Sequence, residues 1–215
     1  MALTFPAPVS YIADLLRVPR RTFRLDVQQE LSGIGNGDVL AAELAPTRWV
    51  ADVQTKPMRP AAARALQARL EALDGSINAF YLYDPWKCVP ASDPGGVILG
   101  ASAVTINTIG VDNKSMSLGG LPAGYVITES DQLHFDYGSN PTRRALHRAQ
   151  ETVTANGLGV TPNFEVRPHF QPGATGGLAV TLIKAAARMV LVPGSLSVQG
   201  DGGRTVISFQ AVQRP

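Results

Sequence analysis

A single cysteine, Cys88, is the only thiol in 215 residues. No intramolecular disulfide can form, which excludes a disulfide-stapled secreted module. Charge is scarce as well: Lys, Arg, Asp and Glu make up 17% of the chain and nearly cancel, leaving +2. The small excess sits in two local clusters, Arg17/Arg20/Arg21 and Arg143/Arg144/Arg148, with no long basic run. A dense stripe of cations with interleaved aromatics is what phosphate neutralisation requires, so specific nucleic-acid binding is not expected. Long apolar runs are missing too. The most apolar stretch, Leu178 to Val192, is broken by Lys184 and Arg188, short of the ~18 uninterrupted residues that a membrane span needs. No membrane insertion is expected. The opening Met1-Ala-Leu-Thr-Phe-Pro6 lacks the basic-then-apolar pattern of a secretory leader, and the expectation is a chain made and folded in a cytoplasm.

What the chain does have is apolar bulk and punctuation. Apolar residues reach 45%, enough to bury a core, and 21 glycines and 16 prolines are scattered without a period. That combination fits many short strands joined by tight turns. Thr22 to Gln28 alternates, with Phe23, Leu25 and Val27 on one face, the period-2 signature of a half-buried strand. Gly33-Ile-Gly-Asn-Gly37 supplies turn residues, Val39 to Leu44 resumes an extended pattern, and Trp49 to Thr55 alternates again. One helix is predicted over 60–74: Pro60 suits a first turn, Ala62, Leu66, Leu70 and Leu73 form a stripe, and Gly75 follows as a C-cap. Ser76 to Tyr83 then reads as an aromatic-rich strand.

Asp84-Pro85 through Pro94-Gly-Gly96 reads as a boundary. Beyond it, short strands are predicted over Val104–Val111, Ser115–Leu118, Gly124–Thr128, Gln132–Tyr137, Arg144–Val153 and Thr161–Arg167, a spacing that suggests a small antiparallel barrel or sandwich. The C-terminus closes as a hairpin around Asp201-Gly-Gly203, whose second strand is apolar on both faces, as an interior strand would be. That strand is expected to rejoin the N-terminal sheet. The expected organisation is therefore 1–85 plus 187–215 as one β-domain with the flanking helix, and 86–186 as an inserted small β-barrel.

Chemistry-bearing constellations are thin. His134-Phe-Asp136 puts a histidine and a carboxylate on one strand face, but no nucleophile accompanies them, and a surface-facing pair is the simpler expectation. His134 and His147 have no Cys, Asp or Glu at metal-ligand spacing. Gly33–Gly37 lacks the Lys-Ser/Thr and the following helix that a phosphate loop needs. Cys88 has no neighbouring histidine. Glu129, Asp131 and Asp136 could approach one another as a carboxylate pair does in glycosidases, but solvated turn acids are the ordinary case. Phe80-Tyr-Leu-Tyr-Asp-Pro-Trp86 reads as core packing more readily than as a sugar platform. No enzyme activity, cofactor or metal is expected.

Several segments, taken in order, resemble the distal and minor tail proteins of tailed phages and gene-transfer agents. They are Trp49-Val-Ala-Asp-Val53 followed by the short helix and Asn78-Ala-Phe-Tyr-Leu-Tyr-Asp-Pro85; Leu121-Pro-Ala-Gly-Tyr-Val-Ile-Thr128 running to Leu133-His-Phe-Asp-Tyr-Gly138; Arg144-Ala-Leu-His-Arg148 with Glu151-Thr-Val-Thr-Ala155 and Phe164-Glu-Val-Arg-Pro168; and Met189-Val-Leu-Val-Pro-Gly194 with the closing hairpin. The resemblance covers the chain from about residue 20 onward. It departs from the family's pattern at Asp131, where a Gly-Asp turn is common, and at Arg148-Ala-Gln150, which loses a β-branched apolar residue.

The resemblance implies a mainly β fold: a tail-tube-like β-barrel or sandwich with one flanking α-helix, plus an inserted small antiparallel β-barrel. It implies a virion component at the tail tip, forming a homo-hexameric ring that joins the tail tube protein to the hub or baseplate protein. Ring contacts are heterologous, so two different surfaces of each subunit must match. Ile12, Leu15, Leu16 and Val18 are the expected subunit-docking residues, the alternative being that this segment packs on its own domain. A second reading is a carbohydrate-binding tail module that meets the host surface through Tyr125 and Tyr137.

Overall fold

The computed structural model describes residues 3–16, 20–33 and 35–214. The chain is mainly β, with one α-helix. In chain order a short 3-10 turn over Ala13–Leu15 is followed by β1 (Arg20–Gly33), β2 (Val39–Gln54), α1 (Pro60–Glu71) and β3 (Phe80–Tyr83). The middle of the chain contributes β4 (Thr105–Ile109), β5 (Ser115–Gly119), β6 (Val126–Ile127), β7 (Gln132–Tyr137), β8 (Arg143–Ala149), β9 (Val153–Thr154), β10 (Phe164–Arg167) and β11 (Val180–Thr181). The chain ends with β12 (Ala186–Leu191), β13 (Ser197–Asp201) and β14 (Arg204–Gln213).

The first sheet runs β1-β2-β14-β12-β3, with β13 paired to β14. The C-terminal strand thus returns to the N-terminal sheet as expected, with Phe209 opposite Val53 and Ala211 opposite Ala51. One face of this sheet is apolar. Trp49, Ala51 and Val53 of β2 join Ile207, Phe209 and Ala211 of β14 beneath Ala63, Leu66 and Leu70 of α1. Val206 and Val212, on the other side of β14, are only half-buried, so that strand is interior to the sheet without being buried on both faces.

The helix is shorter than predicted; Leu66, Leu70 and Leu73 are buried as predicted, and only the first member of the stripe differs. Ala63, not Ala62, is buried. At ~100° per residue, Ala63 lies only about 20° around the helix from Leu70, whereas Ala62 lies about 80° away. Leu73 is buried just past the helix end, where Asp74 and Gly75 turn the chain with positive φ.

The two strands predicted on either side of Pro46 are one continuous β2. Its register against β1 slips twice between Asp26↔Arg48 and Gln29↔Glu43. Pro46 falls inside that irregular step, where a missing N–H costs no ladder hydrogen bond. Val27 is exposed rather than facing the core with Phe23 and Leu25, because by that point the hairpin has left the body of the protein.

The second sheet runs β11-β7-β8-β10-β5-β4. Its ends meet: Thr105 bridges Ala179, the Ile106 N–H donates to the Leu178 carbonyl at 2.9 Å, and the Val180 N–H donates to the Val104 carbonyl at 2.9 Å. The sheet is therefore a nearly closed small barrel, filled by Met116, Leu118, Leu133, Phe135, Phe164 and Val166. The strand predicted over Arg144–Val153 is divided: β8 ends at Ala149 and the short β9 begins at Val153.

Barrel and first sheet meet along β7 and β8. The Trp49 Nε1–H donates to the Leu146 carbonyl at 2.7 Å, and Leu146 itself belongs to the first core. The Arg144 guanidinium lies 3.8 Å from the centre of the Tyr81 ring while holding Asp136 with two hydrogen bonds, at 2.6 and 2.8 Å.

Candidate functional site

The groups singled out for chemistry are dispersed. His134 is buried, not surface-facing: its Nδ1 accepts the Ala186 N–H at 3.2 Å, which leaves the ring proton on Nε2. Burial pushes its pKa down to about 4, with the Arg144 charge adding to the effect. Asp136 is exposed and engaged by Arg144, which holds its carboxyl below the usual range against the opposing effect of burial.

Asp131 is buried at the other end of β7. It accepts the Ala91 and Thr128 N–H groups, each at 2.8 Å, and burial raises its pKa. It therefore serves as a loop clamp, and the carboxylates considered together in the sequence do not converge. Cys88 is half-buried, and its carbonyl accepts the Lys184 N–H. Phe80, Leu82 and Tyr83 pack in the first core, whereas Trp86 lies exposed with the Arg21 guanidinium 4.5 Å from its ring. Among the described residues no cluster of three or more His, Cys, Asp and Glu could hold a metal, and no helix is long and apolar enough to cross a membrane.

The expected docking segment is corrected in part. Ile12 and Leu16 are buried in the first core, so they are not available to a neighbouring subunit. The segment is tied down by backbone pairing of Ala7 with Ala79 and Tyr81. Asp14 adds a further anchor, accepting from Tyr83 Oη and from Lys184 Nζ, each at 2.8 Å. Those two donors, Lys184 foremost, lower the Asp14 pKa. Leu15 points outward at 44% exposure. Val18 lies outside the described residues.

The expected ligand-facing tyrosines are corrected as well. Tyr125 and Tyr137 are 2% and 4% exposed, packed in the barrel core. Tyr125 presents no stacking face to solvent, and burial raises its hydroxyl to about 12. Tyr137 borders a cavity of about 260 Å3 that is shared with Gln28, Arg48 and His169.

The surfaces that do stand open lie elsewhere. From Gln29 to Pro46 every described residue of the β1–β2 hairpin is exposed. Leu31 and Leu44 reach 69% and 67%, and Val39 and Leu40 are close behind. Five residue pairs project beyond the body of the protein, roughly 17 Å at the rise of a β-strand. Leu31 and Val39 share one face and Leu40 takes the other, so the arm is apolar on both sides. Its sequence signal is the collapse of alternation between Leu31 and Leu44, which reads as an ordinary strand unless its lack of partners is known.

A second open surface is a groove of about 570 Å3 beside α1, lined by Leu15, Met58, Ala62, Ala65 and Leu66 with Lys56, Arg59, Arg69 and Arg204 around it. The outer face of the first sheet is polar by contrast, with Thr22, Asp52 and Gln210 abreast and Arg20, Gln54 and Ser208 in the next row. No family model matches the chain, and no curated protein matches it.

Proposed function

We propose that this chain is a structural subunit of a tailed-phage tail tip, a distal tail protein that assembles with itself into a homo-hexameric ring joining the tail tube to the hub. The observation that carries the reading is the β1–β2 hairpin, whose described residues from Gln29 to Pro46 are all exposed, Leu31, Val39, Leu40 and Leu44 among them. Exposed apolar surface of this kind marks an interaction site, and an unpaired strand edge is a liability that assembly removes. The polar outer sheet face, with its Thr, Asp, Gln and Arg rows, suits a surface that stays wetted in such an assembly. The order of the tail-protein-like motifs along the chain supplies the tail-tip context.

Immunogold labelling of intact particles with an antibody against this chain tests the reading. Gold at the distal end of the tail supports it. Particles that carry no label, while the free protein is labelled in the same lysate, would overturn it.

A further inference from the structure

The two open surfaces have opposite charge. Between Gln29 and Pro46 the hairpin carries Glu30, Asp38 and Glu43 and no Lys or Arg. All three are exposed, and none enters an ion pair among the described residues. The groove beside α1 is basic: Lys56, Arg59 and Arg204 are exposed at its rim, and among the described residues no carboxylate lines it. Arg69 is already engaged, donating to the Tyr11 carbonyl at 2.7 Å. Lys56 and Arg59 make no ion pair among the described residues. The apolar parts correspond as well. Leu31, Val39 and Leu40 stand out from the arm, and Leu15, Met58 and Leu66 floor the groove.

These surfaces cannot meet within one molecule. The strand β2 starts at the hairpin turn and ends at Gln54, two residues before Lys56. Sixteen extended residues separate tip from groove by about 50 Å. An arm at one end and a complementary groove at the other is a head-to-tail arrangement, which closes into a ring when the rotation allows.

We infer that the acidic, apolar β1–β2 arm of one subunit docks into the basic groove beside α1 of the next copy of this chain. This inference rests on the ring reading and names the two surfaces that build it. Its electrostatic part orients the encounter, while Leu31, Val39 and Leu40 supply the contact area that leaves water.

Reciprocal charge reversal tests it. One variant carries Glu30→Lys, Asp38→Lys and Glu43→Lys; the other carries Lys56→Glu, Arg59→Glu and Arg204→Glu. All six side chains are exposed, so each variant is expected to melt with the wild type. Native mass spectrometry should find each variant monomeric alone and the 1:1 mixture restored to wild-type mass. In that mixture the reversed arm of one chain meets the reversed groove of the other, and the unreversed surfaces also pair. If the wild type assembles and either variant assembles equally well, the docking surfaces lie elsewhere and only this inference falls. It falls in the same way if the mixture stays monomeric. A wild-type chain that remains monomeric at high concentration overturns both readings and hands the arm and groove to a different protein.

Discussion

At the scale of single residues, the two histidines of the barrel strands, His134 and His147, are buried structural parts. His147 is the clearest. It is 1% exposed, its Nδ1–H donates to the Pro168 carbonyl at 2.7 Å, and its ring lies against Phe135 and Phe170. Protonating Nε2 would add a donor where no partner exists, so burial lowers the pKa to about 4. His134 is likewise pushed to about 4. Both folded values lie below the 6.5 of an unfolded histidine, so on acidification the unfolded chain takes up protons first. Stability from these sites is complete above about pH 6.5 and is lost progressively as pH falls toward 4, by about 2 kcal/mol per histidine at pH 5. Urea midpoints at pH 7.5 and pH 5 should therefore differ, and His147→Gln should shrink the difference by about half. A midpoint independent of pH would contradict neutral, buried imidazoles. Two glycines make a second test. At Gly159, φ is +73° and a Cβ would collide with the backbone carbonyl of Leu121, whereas at Gly75, φ is +66° in open space. Gly159→Ala should cost about 2–4 kcal/mol in equilibrium unfolding, against about 1 kcal/mol for Gly75→Ala. Equal costs would show that the Leu121 contact yields.

At the scale of elements, strand existence was legible in the sequence because alternation and turn chemistry are local. The β7 limits and the closing hairpin were readable in this way, whereas the strand predicted over Arg144–Val153 ends four residues early, at Ala149. Burial was not, because it depends on partners far along the chain. The apolar pattern of Ile12 and Leu16 fitted a docking arm and a segment packed on its own domain equally well, and they fill the protein's own core. Val39 and Leu40 read as part of an ordinary extended segment yet, with Leu31, are the exposed arm. The hairpin lends itself to a direct test. Replacing residues 30–42 by Asn-Gly joins Gln29 to Glu43, already cross-strand partners, through a two-residue turn. Because every described residue among those removed is exposed, Tm should change by no more than about 2 °C, while self-association is lost. A fall of about 10 °C would mean that the arm supports its own fold.

At the scale of the whole molecule, one mainly β chain presents a nearly closed barrel mounted through β7 and β8 on a sheet whose two ends carry unlike surfaces. The return of β14 to the N-terminal sheet was legible from its apolar residues on both faces, although only one of those faces is deeply buried. The matching of arm and groove was not legible, since charge complementarity between the ends of β2 appears only once both are known to be uncovered. The ring reading stands on this chain closing on itself, and light scattering of the purified wild type, with negative-stain images of the same fraction, measures that closure. Closure gives a species of roughly 137 kDa, six chains of 22.8 kDa, seen as a ring with an open centre. A 22.8 kDa particle that persists as concentration rises would mean that the chain does not close on itself.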